Sequence, residues 1–442
     1  MTDHKKQRPV PTSRLGRVGR LGVLAGKLAG NVVTSGAEQW LKGNRPQLKD
    51  LVLTPSNITR ITDQLATMRG AAMKVGQLLS MDAGDFLPKE LADILGKLRD
   101  DADAMPKAQL QEVLDSEWGN DWNDDLLYFS FAPVAAASIG QVHKAITLEG
   151  RMLAIKIQYP GIKKSIDSDV NNVATLIKLA GVVPKTLDTQ SLLNEAKTQL
   201  HQEADYQREA KMLSAYAANL EGSEHFVVPS LAPELTTMNV LAMDFTNGVS
   251  IDALIDAPQE TRNTLMTALM TLFFDELFAF KLLQSDPNLA NYLYQPDTAK
   301  IVLLDFGATR VIPDEIAQGY QALLIAAYHN DHEAMKSAAL AIGLILPSHT
   351  TEQIDAVVSI GMLACEAIRA DASYDFGESD LVTRLHDCGM ALTYELNFWH
   401  TPPADAIFIH RKLGGLFLLA KRLKAQVDMK YAAGAWLADT DQ

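Results

Sequence analysis

The chain has 442 residues, 47% hydrophobic and 21% charged, which suits a soluble globular protein holding two or three ordinary domains or one large two-lobed one. A formal net charge of −14 argues against nucleic acid as a partner of the whole chain. Two cysteines, Cys365 and Cys388, exclude a disulfide framework, and no Cys/His cluster has zinc-ligand spacing, so a reducing compartment fits best.

The charge is uneven. The first 45 residues carry nine Lys or Arg against Asp3 and Glu38, about +7, on a remainder near −21. Such a basic arm, residues 1–46, is expected to contact an anionic surface, of which membrane lipid is the commonest. Within it Gly22, Gly26 and Gly30 recur every four residues, giving either a helix face for close approach or a flexible linker. No stretch reads as a signal peptide. Leu265 to Leu283 is the most apolar run, but Asp275, Glu276 and Lys281 interrupt it, so a buried core helix is expected rather than a membrane span.

Residues 47–125 read as helical: Ile58, Ile61, Leu65, Met68, Ala72, Val75 and Leu79 keep helix spacing, and Leu87 to Leu98 and Lys107 to Leu114 follow. From Leu126 to Met243 short strands mix with helices. Met152 to Ile157 and Val240 to Met243 are strand runs, and Val170 to Glu221 is helical with a break near Pro184. The rest is mostly helical, except for Asn291 to Tyr294 and Ile301 to Leu304, apolar runs on either side of a Gln295-Pro296-Asp297 turn signal.

Five elements carry the chemistry. Ile301 to Gly307 is a buried strand ending in Asp-Phe-Gly, which sets the Asp305 carboxylate at a strand end, suited to a hard cation such as Mg²⁺. Asp286 and Asn291 are five apart, the spacing of a kinase catalytic loop, with the Asp near the attacking oxygen and the Asn on metal. Met152-Leu-Ala-Ile-Lys156 matches a strand-borne lysine that neutralises phosphate charge. That lysine needs a carboxylate partner: Glu203 is expected, with Asp205 as the competing choice. Ahead of it, Ala135, Ala136, Ala137, Ser138, Gly140 and Val142 overlay G-x-G-x-x-G-x-V, with alanine at the first two glycine positions. Val240 to Phe245 is expected to be the strand and hinge contacting adenine, with Met243 at its mouth. Taken singly each motif has a bland reading, such as a solvated lysine or a surface acid; their shared order and spacing is what carries the argument.

These residues resemble the UbiB/AarF-domain family of atypical kinases, in particular its coenzyme-Q branch. The carriers are Lys74-Val75-Gly76-Gln77, the alanine loop, Glu203-Ala204-Asp205, Asp305 to Arg310, Gln158 to Gly161 and His410 to Gly415. The resemblance implies an α+β, two-lobed protein-kinase-like fold: the basic arm 1–46, a helical Lys-x-Gly-Gln extension 47–125, an N-lobe 126–243 and a helical C-lobe 244–442. It implies ATP or ADP with Mg²⁺, catalytic roles for Asp286, Lys156 and Glu203, metal contacts at Asn291 and Asp305, and nucleotide contacts at the alanine loop, Met243 and Phe245. Lys74, Gln77 and Asp205 would regulate, with the N-terminal helices folded over the groove where a protein kinase lays its peptide.

The implied partners are anionic membrane lipid, ubiquinone precursors, other ubiquinone-biosynthesis enzymes and a second copy of the chain. The extreme N-terminus, with Asp3, His4 and few serines, is a poor transit peptide, so the expected setting is cytoplasmic and peripheral to a bacterial inner membrane, with the mitochondrial matrix side as the alternative. The chain departs from the family at Gln284-Ser-Asp-Pro-Asn-Leu-Ala-Asn291, where many members read H-x-D-P-H-P-G-N, so any role of those histidines does not carry over. Three functions remain open: an ATPase supporting ubiquinone biosynthesis, a nucleotide-gated lipid scaffold, or a true protein or small-molecule kinase.

Overall fold

Residues 105–137, 139–180 and 189–437 are described by the computed structural model. The expectations for the basic arm, for the extension up to residue 104 with Lys74 and Gln77, and for Ser138 lie outside these described residues. Two units divide the chain: described residues up to Lys211 with Ser230–Phe245, and Met212–Pro229 with Thr246 onward.

In the first unit an antiparallel sheet runs in the order β1 (Leu126–Phe129), β3 (Gly140–Thr147), β4 (Met152–Gln158), β6 (Val240–Asp244), and β2 (Ala135–Ala136) pairs with β3. Strand β3 alternates buried and half-buried residues, as a strand with one face on a core must. Strand β4 is buried from Leu153 to Gln158 on both faces, which explains its near-continuous apolar run. Helix α1 (Lys107–Trp118) packs Leu110 and Leu114, both fully buried, on that sheet. Removing either leucine to alanine would cost about 2–5 kcal/mol. Gly119, at φ 89°, turns the chain after α1, and Trp122 meets Phe129 edge-on at 5.2 Å. Helices α2 (Ile162–Ala180) and α3 (Thr189–Glu203) follow β4. Helix α4 (Tyr206–Asn219) starts in this unit and ends in the other, so the helical stretch expected from Val170 to Glu221 is three helices.

In the second unit β9 (Tyr292–Gln295) and β10 (Lys300–Leu303) form a hairpin, with β5 (Phe226–Val227) parallel to β10 and β7 (Val249–Ser250) on β9. Helix α5 is Gln259–Phe278, which starts and ends ahead of the Leu265 to Leu283 run expected as a helix. It is followed by Lys281 at φ 51° and by strand β8 (Leu282–Gln284), which pairs antiparallel with β11 (Thr309–Val311). A left-handed backbone at Lys281 cannot continue a helix, so Leu282 and Leu283 belong to a strand instead. The remaining helices are α6 (Asp314–Tyr328), α7 (His332–Ala341), α8 (Thr351–Ala364), α9 (Leu381–Tyr394), α10 (Ala404–Arg422) and the short α11 (Met429–Ala433). Asp331 caps α7, and Thr350 with Gln353 forms a reciprocal capping box on α8, so both starts were written locally. Met335, Ile342, Ile345, Val358 and Met362 join α6–α8 into one core.

Candidate active site

Lys156 lies on β4, opposite Val142 on β3 and Leu241 on β6, and Ala135 faces Val142 from β2. Residues in register across a sheet share a face, so the alanine loop and the lysine stand in one row. Nζ of Lys156 donates to both carboxylate oxygens of Glu209, at 2.8 and 3.0 Å, and lies 5.2 Å from the Tyr206 ring centroid. Both charged residues are buried, Lys156 at 7% and Glu209 at 1%. An ion pair so enclosed needs good geometry to offset its desolvation, and a carboxylate bonding through both oxygens has it.

This corrects the expected pairing with Glu203, and with its competitor Asp205. Glu203 closes α3, whereas Asp205 accepts the Arg208 N–H at 3.0 Å and so caps α4. The chain changes direction between the two helices. It is α4 that turns its Tyr206, Glu209, Ala210, Leu213 and Tyr216 stripe inward. That stripe has helix spacing in the sequence, and a lone glutamate on it was the available signal for a buried cationic partner.

Gly140 is required here by packing. A Cβ at that position would stand 2.3 Å from the Ile157 carbonyl oxygen and 3.0 Å from the Tyr206 hydroxyl. Ala135 and Ala136 are exposed, and the Ala137 N–H bonds the Gly140 carbonyl at 2.9 Å to close the turn. Met243 is 5% exposed and pairs with Ala154 inside the sheet, while the Phe245 N–H donates to the Met152 carbonyl at 2.9 Å. Asp244 between them accepts from Arg151 Nε at 2.7 Å, tying the end of β6.

In the second unit Asn291 precedes β9 and Asp305 follows β10. Tyr292 pairs with Leu303 and the Leu304 N–H donates to the Asn291 carbonyl at 3.0 Å, so both residues sit at one end of the hairpin. Oδ1 of Asp305 accepts the Gly307 N–H at 2.9 Å, and its carbonyl accepts from Gln284 Nε2 at 3.3 Å. Gln284 thus takes up the first position of the departed catalytic-loop motif and braces the Asp-Phe-Gly turn. Ser285 helps, with its hydroxyl donating to the Ala308 carbonyl at 2.7 Å. Asp286 accepts from Asn291 Nδ2 at 3.4 Å and from Arg411 Nη2, on α10, at 3.1 Å. Among the described residues no three His, Cys, Asp or Glu side chains converge as a metal cage. An amide oxygen and a carboxylate at one hairpin end are hard donors that suit Mg²⁺, which takes only one or two protein carboxylates and completes its shell with phosphate and water.

Helix α10 contributes more than Arg411. Lys412 bonds Glu276 on α5, whose other oxygen accepts from the Tyr216 hydroxyl at 2.9 Å; that hydroxyl also lies 2.9 Å from the Leu282 carbonyl on β8. Burial pushes the Glu276 carboxyl up and the Lys412 ammonium down from their ordinary values. A Cβ on Gly415 would stand 2.4 Å from Cβ of Pro287, directly after Asp286. Sequence reading noted His410 to Gly415 as a resemblance without a role. Only the fold brings these residues, about 125 positions away, to the Asp286 loop.

Comparison with known proteins follows the same outline. The family model described as ABC1 atypical kinase-like domain matches residues 97–339. The chain is 39% identical over 428 residues to the atypical kinase COQ8, mitochondrial, of Saccharomyces cerevisiae, covering 96% of this chain and 85% of that protein. It is 34% identical over 429 residues to the atypical kinase COQ8B, mitochondrial, of Rattus norvegicus, covering 97% and 81%. Among solved structures, the Rv3197–erythromycin complex from Mycobacterium tuberculosis overlays with a TM-score of 0.60 at 24% identity, covering 86% of this chain and 96% of that one, a likeness of fold alone.

Proposed function

Because the chain belongs to the ABC1 atypical kinase-like family that includes the COQ8 kinases, we propose that it is a Mg²⁺-dependent, ATP-using enzyme that supports ubiquinone biosynthesis at a membrane surface. The observation that carries this reading is the buried Lys156–Glu209 pair on the central strand of the first unit. Burying an ion pair is seldom a gain in stability, so a pair held in a row with the alanine loop calls for a chemical use.

Each unit supplies its own part. Glu209 fixes the Lys156 ammonium, which neutralises phosphate oxygens. Asn291 and Asp305 would hold Mg²⁺, which when bound shields the charge of the phosphates. Asp286, steadied by Arg411 and Asn291, orients the attacking oxygen, whether of water or of a small acceptor. Alanines in place of loop glycines stiffen the phosphate loop, which favours hydrolysis coupled to conformational change over labelling of a protein. In this reading Lys74 and Gln77 regulate together with Asp205, and the basic arm 1–46 meets anionic lipid. No helix of the described residues is long and apolar enough to cross a membrane. The relatives named mitochondrial support the matrix side as the setting.

The test is ATP turnover by the full chain and by Asp286→Asn and Asp305→Asn, with and without anionic liposomes, alongside complementation of a ubiquinone-deficient strain. Turnover should fall at least a hundredfold in both variants, and neither should complement. Wild-type turnover in both would overturn the assignment. Complementation by an inactive Asp286→Asn would instead favour the nucleotide-gated scaffold.

A further inference from the structure

A cavity of 540 Å³ lies wholly within the second unit, walled by helices α5 to α11 and the turn before α10. Native interiors leave few voids larger than a water molecule, and small-molecule sites span about 300–1,000 Å³. The wall is made of leucine, isoleucine, valine, methionine and aromatic side chains, with Phe274, Phe398 and Phe417 among them; none of its residues is Lys, Arg, Asp or Glu. Its polar marks are few: Tyr320, Cys365, His386, His400 and His410. Tyr320 Oη and His410 Nε2 lie 2.8 Å apart, and His400 Nε2 donates to the Gly343 carbonyl at 2.9 Å. Gly414 also lines the space, and a Cβ there would meet no atom within 4 Å.

From this lining we propose that the cavity binds a neutral, elongated apolar molecule carrying one hydroxyl or carbonyl group, with that group received by the Tyr320–His410 pair. The apolar wall supplies the affinity and the hydrogen-bonded Tyr320–His410 pair the orientation, the division found in small-molecule sites. No ammonium, guanidinium or carboxylate group lines the space to pair with an ionised head, which sets the selectivity. The proposal is independent of the ATP reading, since no residue of the Lys156 row, and neither Asp286, Asn291 nor Asp305, lines the space.

The experiment uses the full chain without nucleotide, titrated with the neutral fluorophore N-phenyl-1-naphthylamine and then with competitors at pH 7.5. Saturable one-site binding is expected, displaced by farnesol and not by palmitate. Gly414→Leu should weaken probe binding at least tenfold by filling the space, and the helix tolerates it because leucine outranks glycine in helix propensity. Tyr320→Phe should leave the probe unaffected and weaken farnesol about fivefold, the loss of one hydrogen bond. Absence of saturable binding, equal displacement by palmitate, or unchanged binding in Gly414→Leu of wild-type melting temperature would each overturn the proposal. Should Gly414→Leu fail to fold, Tyr320→Phe decides: equal farnesol affinity in wild type and variant overturns the assignment of the polar pair.

Discussion

Among the described residues two lysine–glutamate pairs are buried, one in each unit, and they do different work. Lys412 and Glu276 sit in a closed network, with Tyr216 on the second carboxylate oxygen and the Leu282 carbonyl beyond it. Burial drives both partners toward their neutral forms, as in a strut that carries no field outward. Lys156 and Glu209 instead bond through both carboxylate oxygens on a strand whose row ends at the alanine loop. Residue types are the same in each pair; what differs is whether the network ends in backbone or stands in a row with the alanine loop, which we propose receives the phosphates.

Breaking each pair on one side and then replacing both partners sharpens this contrast. Lys412→Met leaves Glu276 buried beside Tyr216 and should cost about 3–5 kcal/mol in urea unfolding. Lys412→Met with Glu276→Leu should recover most of that and retain ATP turnover, as a strut permits. Lys156→Met with Glu209→Leu should likewise recover stability but leave turnover at least a hundredfold down, about 2.7 kcal/mol or more of barrier. Equal behaviour of the two double variants in turnover would erase the distinction.

A smaller effect is expected at Gly415, where the α10 backbone approaches Pro287. Gly415→Ala should cost about 1–3 kcal/mol by overpacking, against the gain in helix propensity, and lower turnover through displacement of Asp286. A stability change without a kinetic one would separate the packing from the loop.

The smallest effect belongs to His143 in the first unit. Its Nδ1 donates to the Ser130 carbonyl at 2.7 Å, its Nε2 accepts from Gln141 at 2.8 Å, and burial holds its pKa below the ordinary 6.5. The unfolded chain takes up a proton near 6.5 where the folded chain does not. Stability from this site is therefore full above that pH and is lost as pH falls through 6.5 toward the folded value. His143→Gln should flatten the slope of the urea midpoint between pH 7 and pH 5; an unchanged slope would assign the pH response elsewhere.

Much of the architecture was legible in advance, for local reasons. Strand β4, the β9–β10 hairpin around Pro296, and the Asp-Phe-Gly end of β10 follow from apolar runs, turn residues and a terminal carboxylate. The Asp286–Asn291 contact follows from a five-residue spacing within one short loop. Glu209 was missed because Glu203 satisfied a motif, whereas the fold chose by helix face. Gly140 was read as a phosphate-loop glycine, and the structure gives it a packing reason that no single strand could reveal.

By itself the sequence determined which oxygens and which lysine are available, and in what order along the chain, because motif spacing and apolar period are local properties. Only the tertiary structure decided which carboxylate Lys156 bonds, that α10 braces the Asp286 loop, and that helices α5 to α11 leave a cavity among them. Those outcomes depend on side chains far apart in sequence meeting at short range, and no local pattern encodes the distance between them.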